Sequence, residues 1–162
     1  MPTGISRRIK GVPMFLNKNK MGIGVQQLLN KAEEVAASMN HRDVDASHVL
    51  LVMMEGMPSS PILRILSLNG FQYRRSEEIV RTGFLADRDP DLPMGYSSGY
   101  RAMMHWAPIQ AWQLRQTEIV TMRDLTGTAL MSGSPVVSSL KEAAQIESQT
   151  RLCTELHRSE AV

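Results

Sequence analysis

The chain has 162 residues, 43% hydrophobic and 21% charged, a balance that suits a folded globular protein and excludes a disordered one. No apolar run approaches the roughly 18 residues needed to cross a bilayer, so a spanning helix is excluded on length. The formal charge of +2 hides an asymmetry, because Arg7, Arg8, Lys10, Lys18, Lys20 and Lys31 all precede the first acid, Glu33, and leave 12 basic against 16 acidic side chains in the remainder.

A basic, acid-free start suits a targeting segment, a nucleic-acid tether or a solvated tail. Ser6-Arg7-Arg8 resembles a twin-arginine signal, but the apolar stretch of about 7 to 15 residues that such a signal needs does not follow. Residues 1–13 therefore read as a basic flexible extension. The lone cysteine, Cys153, has no internal disulfide partner, which fits a reducing compartment. The cytoplasm is the expected location, or the plastid stroma or another organelle if residues 1–13 belong to a targeting segment.

Gly22-Ile23-Gly24 reads as a lead-in rather than an anion cradle, since no strand precedes it. Val25, Leu28, Leu29, Ala32, Val35, Ala36 and Met39 then follow the spacing that gathers apolar side chains on one helical stripe, about four turns long. A second helix is expected over 47–55, with Asp45 as its N-cap, and a third at Ser60-Pro61, serine capping and proline in the first turn. A fourth covers 73–81. Asp87-Arg-Asp-Pro-Asp-Leu-Pro-Met-Gly95 is a charged, turn-rich linker.

The pattern then begins again. Tyr100, Met103, Met104, Ala107, Ala111 and Leu114 form a second amphipathic stripe, interrupted by Pro108, which predicts a kink or a split near Ala107. Thr121-Met122-Arg123-Asp124 resembles a capping box before a helix over 122–131; Ser134-Pro135 starts another, and a last one covers 148–158. At an offset of 75 residues Leu28 lies over Met103, Leu29 over Met104, Ala32 over Ala107, Ala36 over Ala111, Met39 over Leu114 and Val44 over Ile119. At an offset of 74, Ser60-Pro61-Ile62-Leu63 falls on Ser134-Pro135-Val136-Val137, and Leu66 on Leu140. Few residues favour strands consistently, so the expected fold is all-α, about eight helices in two four-helix units. A lead-in and first unit occupy 14–83, a linker 84–97 and a second unit 98–162.

The Ala-rich first helix, Ser47-His48-Val49-Leu50-Leu51 and Pro61-Ile-Leu-Arg-Ile-Leu-Ser-Leu-Asn-Gly70 together resemble the Clp N-terminal repeat. Met14-Phe15 is similar to the lead-in of the ClpC branch. The resemblance covers residues 25 to 158 and implies a tandem pair of repeats in one compact pseudo-twofold domain. It implies no enzymatic activity: the family's domain receives substrates or adaptor proteins for a Clp AAA+ unfoldase, and free-standing double-repeat members are accessory subunits of the Clp protease. The family commonly begins each second helix with Thr-Glu-His, the glutamate binding phosphoarginine in the ClpC branch. Here Ala46-Ser47-His48 and Thr121-Met122-Arg123 stand instead, without either carboxylate, so phosphoarginine binding is not carried over.

No phosphate-loop motif occurs, so the chain does not supply ATP hydrolysis, and neither a cofactor nor a metal is expected. Cys153 and His157 share a helical face at i, i+4 but lack the further ligands of a zinc site. His48 reads as a packed, hydrogen-bonded residue, and His41 and His105 lie outside any ligand spacing. Most of the 12 methionines, including Met53, Met54, Met57, Met103, Met104, Met122 and Met131, have core spacing, with an adaptable binding surface as the alternative. Trp106 and Trp112 have no aromatic counterparts in the first unit, where Lys31 and Ala37 stand. The candidate protein-binding residues are thus Ser47, His48, Trp106, Trp112, Met122 and Arg123. The expected partners are Clp unfoldase or peptidase subunits, or substrate and adaptor proteins. The alternatives are a receiving domain of a longer Clp ATPase and a nucleic-acid binder, the latter opposed by the acidic body.

Overall fold

The first apolar stripe becomes α1 (Ile23–Ser38), which buries Val25, Leu28, Leu29, Ala32 and Ala36 on one side. The computed structural model describes residues 21–56, 61–144, 156 and 158. Within them α2 (Ala46–Gly56), α3 (Pro61–Leu68) and α4 (Tyr73–Thr82) follow, then α5 (Ser98–Arg115), α6 (Met122–Leu130) and α7 (Pro135–Ala144). The described part is mostly helical, as the spacing predicts. Of the expected eighth helix over 148–158 only Leu156 and Arg158 are described, and the 1–13 extension, Met14-Phe15, Met57, Ser60, Cys153 and His157 lie outside the described residues. Leu156 is helical and fully buried. No helix among the described residues is long and apolar enough to cross a membrane.

Two helices sit at the centre. In α2 every residue from Ala46 to Met54 is buried, and in α6 every residue from Arg123 to Leu130, the all-round burial of a core helix. They pack against each other, with α1 and α4 outside α2 and α5 outside α6. The Thr126 hydroxyl donates to the Met53 thioether at 3.0 Å across the central contact. Met53, Met54, Met103 and Met104 all lie in this core, whereas Met131 is exposed.

Three expectations need correction. The chain is not purely helical: β1 (Asp43–Val44) pairs in parallel with β2 (Gly95–Tyr96), placing Val44 opposite Tyr96, and Met21 bridges to Val120. These short pieces satisfy backbone groups just before four of the helices, a need that side-chain periodicity does not register. Secondly, α5 is not split at Ala107: it continues as one helix through Pro108 from Ser98 to Arg115. Burial of Met103, Met104, Ala107 and Ala111 on α6's side holds it together despite a proline cost of about 3 kcal/mol. Thirdly, Ile119 and Leu114, expected to lie over the buried Val44 and Met39, are about half exposed, and the fully buried residue at that point is Val120. Left-handed residues follow both α1 and α5, Asn40 (φ 61°) and Gln116 (φ 58°).

Gly70 shows where the halves meet. Its φ is +95°, and a Cβ there would collide with the carbonyl of Ala144 at the end of α7.

Candidate functional site

Three helix N-termini converge on one carboxylate. Asp45 caps α2 by accepting from the Ser47 N–H at 3.0 Å. Its other acceptor sites take the hydroxyl of Ser134 at 2.6 Å and that of Ser97. Ser97 in turn caps α5 by accepting from the Tyr100 N–H, and Ser134 caps α7 by accepting from the Val137 N–H. The positive ends of three helices thus surround a buried anion. Gly99 makes the close approach possible, since a Cβ there would lie 2.8 Å from the Ser134 side chain and 3.0 Å from the Asp45 carboxylate.

His48, at the third position of α2, completes this N-terminus. Its Nδ1 accepts from the Asp45 N–H at 2.9 Å, so its proton sits on Nε2 and points to Nδ1 of His41, 2.9 Å away. His41 Nε2–H then donates to the Arg81 carbonyl at 3.1 Å. Hydrogen-bond direction alone makes both rings neutral. Burial pushes the His48 imidazole down to about 4, reinforced by His41 and opposed by Asp45. His41 is also lowered, mainly by burial. Ser47 and His48 are fully enclosed, and the Ser47 Oγ has no hydrogen-bond partner among the described residues.

At the N-terminus of α6 the same problem is solved by an ion pair. Thr121 and Asp124 form a reciprocal capping box, as the sequence predicts. Arg115, from the end of α5, binds Asp124 through both terminal nitrogens at 2.8 and 2.6 Å. Arg123 is buried at 4% exposure, its ionisation lowered by burial and by the charge of Arg115. Ser47, His48 and Arg123 therefore act inside the fold and are not on its surface.

The exposed aromatic side chains lie elsewhere. Trp106 and Trp112 are 55% and 53% exposed on the outer face of α5. The ring of His105 meets Trp106 edge-on at 5.1 Å. Pro108, Ile109, Trp112, Gln113 and Glu118 line a shallow depression of about 490 Å³. The proline that interrupts the sequence pattern is thus part of an exposed apolar surface. Met122 lies over Gly24 and lines a second groove of about 440 Å³ with Leu28 and Val52. This groove shares Lys31, Val52 and Glu55 with a polar cleft where the Tyr73 hydroxyl donates to Glu77 and Glu55. Burial, then these two carboxylates, push the Tyr73 phenol up to about 12.

No group of three or more His, Cys, Asp or Glu side chains is placed to hold a metal among the described residues. Of the sequence candidates, Trp106 and Trp112 are exposed and Met122 is half-buried, while Asp45 as a hub, His41 as the partner of His48, and Arg115 were missed. The signals were present as Ser97 and Ser134 before helices and as histidines seven residues apart, but only the tertiary fold joins them. Compared with known proteins, the sequence matches no family model and no curated protein.

Proposed function

We propose that the chain is a non-catalytic protein-binding module of the Clp N-terminal type, a tandem pair of helical repeats, acting as an accessory or adaptor component of a Clp AAA+ unfoldase or protease. The observation that carries this reading is the reciprocal strand pairing. The segment before α2 pairs with the segment before α5, while the segment before α6 pairs with the one before α1. Matching partners lie 75 residues apart for Met21 and Tyr96 and 76 apart for Val44 and Val120, the exchange expected of two repeats about a pseudo-twofold axis.

With that register, one residue on from the overlay of Thr121-Met122-Arg123 on Thr-Glu-His, the second glutamate position moves from Met122 to Arg123, while the first stays on Ser47. A buried hydroxyl and a cation replace two carboxylates, so recognition of a phosphorylated guanidinium is not part of the proposal. The docking face is instead the outer surface of α5, where two half-exposed tryptophans supply the rigid aromatic area typical of binding hot spots. The test is degradation of an unfolded substrate by the Clp ATPase and peptidase of the same source, with and without the chain. The rate changes with a saturable dependence on the added chain; an unchanged rate at every concentration removes the accessory role.

A further inference from the structure

The two central helices begin in comparable ways but are latched by different chemistry. The latch at α2 is an ordered chain of neutral donors and acceptors from the Asp45 N–H through His48 and His41 to the Arg81 carbonyl. The latch at α6 is the Arg115 and Asp124 ion pair within a capping box. The histidine chain also grips the connector between the halves. Phe84 stacks on His48 at 5.3 Å and leans on His41 at 5.1 Å. Asn40, beside His41, donates to the Ala86 carbonyl at 2.8 Å and accepts from the Arg88 N–H at 3.2 Å.

We infer that the His41 and His48 pair is an acid-sensitive latch, whose protonation releases the connector over 84–94 and the last turn of α4 while α5 and α6 stay folded. The geometry gives the reason. A proton added at His48 Nδ1 points at the Asp45 N–H, and one added at His41 Nδ1 points at the His48 Nε2–H. Either places two donors head to head in a buried site, so the chain opens. The charged groups that face the pair are Arg81 from α4, which opposes protonation of His41, and Asp45 from the turn before α2, which favours protonation of His48. The end of α1 presents the uncharged Met39 and Asn40, and Arg42 and Asp87 pair at 2.7 Å on the solvent side of the connector. The latch at α6 contains no imidazole and so does not respond over the same range.

Two measurements on the unaltered chain test this. Nitrogen-15 NMR of the imidazoles at pH 7 finds His41 and His48 protonated at Nε2 only; an Nδ1–H form in either ring overturns the inference. Hydrogen exchange, corrected for the intrinsic pH dependence, is then compared between pH 7 and 4.5. Amides of the first turn of α2, the last turn of α4 and the connector lose protection at least tenfold while those of α6 keep theirs. Equal loss in α2 and α6, or no loss in either, contradicts it.

Discussion

The Ser134 hydroxyl donates to the Asp45 carboxylate at 2.6 Å, tying the N-terminus of α7 to that of α2 across 89 residues of chain. Ser97 makes the same kind of bond from α5, so one side chain aligns three helices drawn from both halves.

Replacing Asp45 by alanine removes that acceptor and strands the buried Ser134 hydroxyl, the half-buried Ser97 hydroxyl and a helix N–H. The expected cost is about 3 kcal/mol, from the loss of charge-assisted hydrogen bonds in a buried site. Asp45→Asn keeps one acceptor oxygen and loses less. Urea unfolding followed by circular dichroism measures both, and equal stability of all three proteins contradicts the hub.

Stability should fall with acid before the carboxylates titrate. His48 binds its proton at about 4 in the fold against about 6.5 unfolded, so between those values the unfolded chain holds more protons and stability rises with pH. The contribution is complete above pH 6.5 and is lost as pH falls toward 4, amounting to about 3 kcal/mol. Urea midpoints at pH 7, 6 and 5 should fall progressively; a flat profile across that window would show that the pair is not held neutral.

How much of this the sequence displayed depends on the range of the interaction. Helical periodicity located α1 and α5, and local capping signals located the starts of α6 and α7, because both are encoded within a few residues. The overlay of Val44 on Ile119 pairs a buried residue with a half-exposed one, beside the buried Val120, because a shift of one position leaves the apolar pattern almost unchanged while rotating the side chain out of the core. The strand exchange and the Asp45 hub join residues tens of positions apart, and no periodicity reports them. Trp106 and Trp112 were legible as unmatched residues, though their exposure was not.

Gly70→Ala should destabilise the chain by about 2 kcal/mol or more, since a left-handed φ and a collision with the Ala144 carbonyl act together. Gly133 has a comparable φ of +80° with open space around it, so Gly133→Ala carries only the backbone cost, about 1 kcal/mol. Thermal unfolding of the two variants separates the terms. Equal losses would mean that the contact at Gly70 relaxes freely.

Arg115→Ala removes both guanidinium contacts of the buried Asp124 and leaves it the Thr121 bonds and the neighbouring charge of Arg123. The side chain of Arg115 keeps 24% of its surface in water, so solvent screening brings the expected loss to about 2 kcal/mol, below that of a fully buried pair. Arg115→Lys restores only part of it, because an ammonium cannot make the paired contact to both carboxylate oxygens. Full rescue by lysine, read from chemical unfolding, would argue that charge alone matters there.

The most direct test of the binding role compares the unaltered chain with Trp106→Ser/Trp112→Ser as baits for Clp unfoldase and peptidase subunits in a lysate of the same source. Both residues are half exposed, so the double variant should keep its circular dichroism spectrum and lose under about 1 kcal/mol per site. The account predicts that identified Clp subunits are retained by the unaltered chain and lost with the variant. Retention of no Clp subunit by the unaltered chain, or equal retention by both baits, would contradict it.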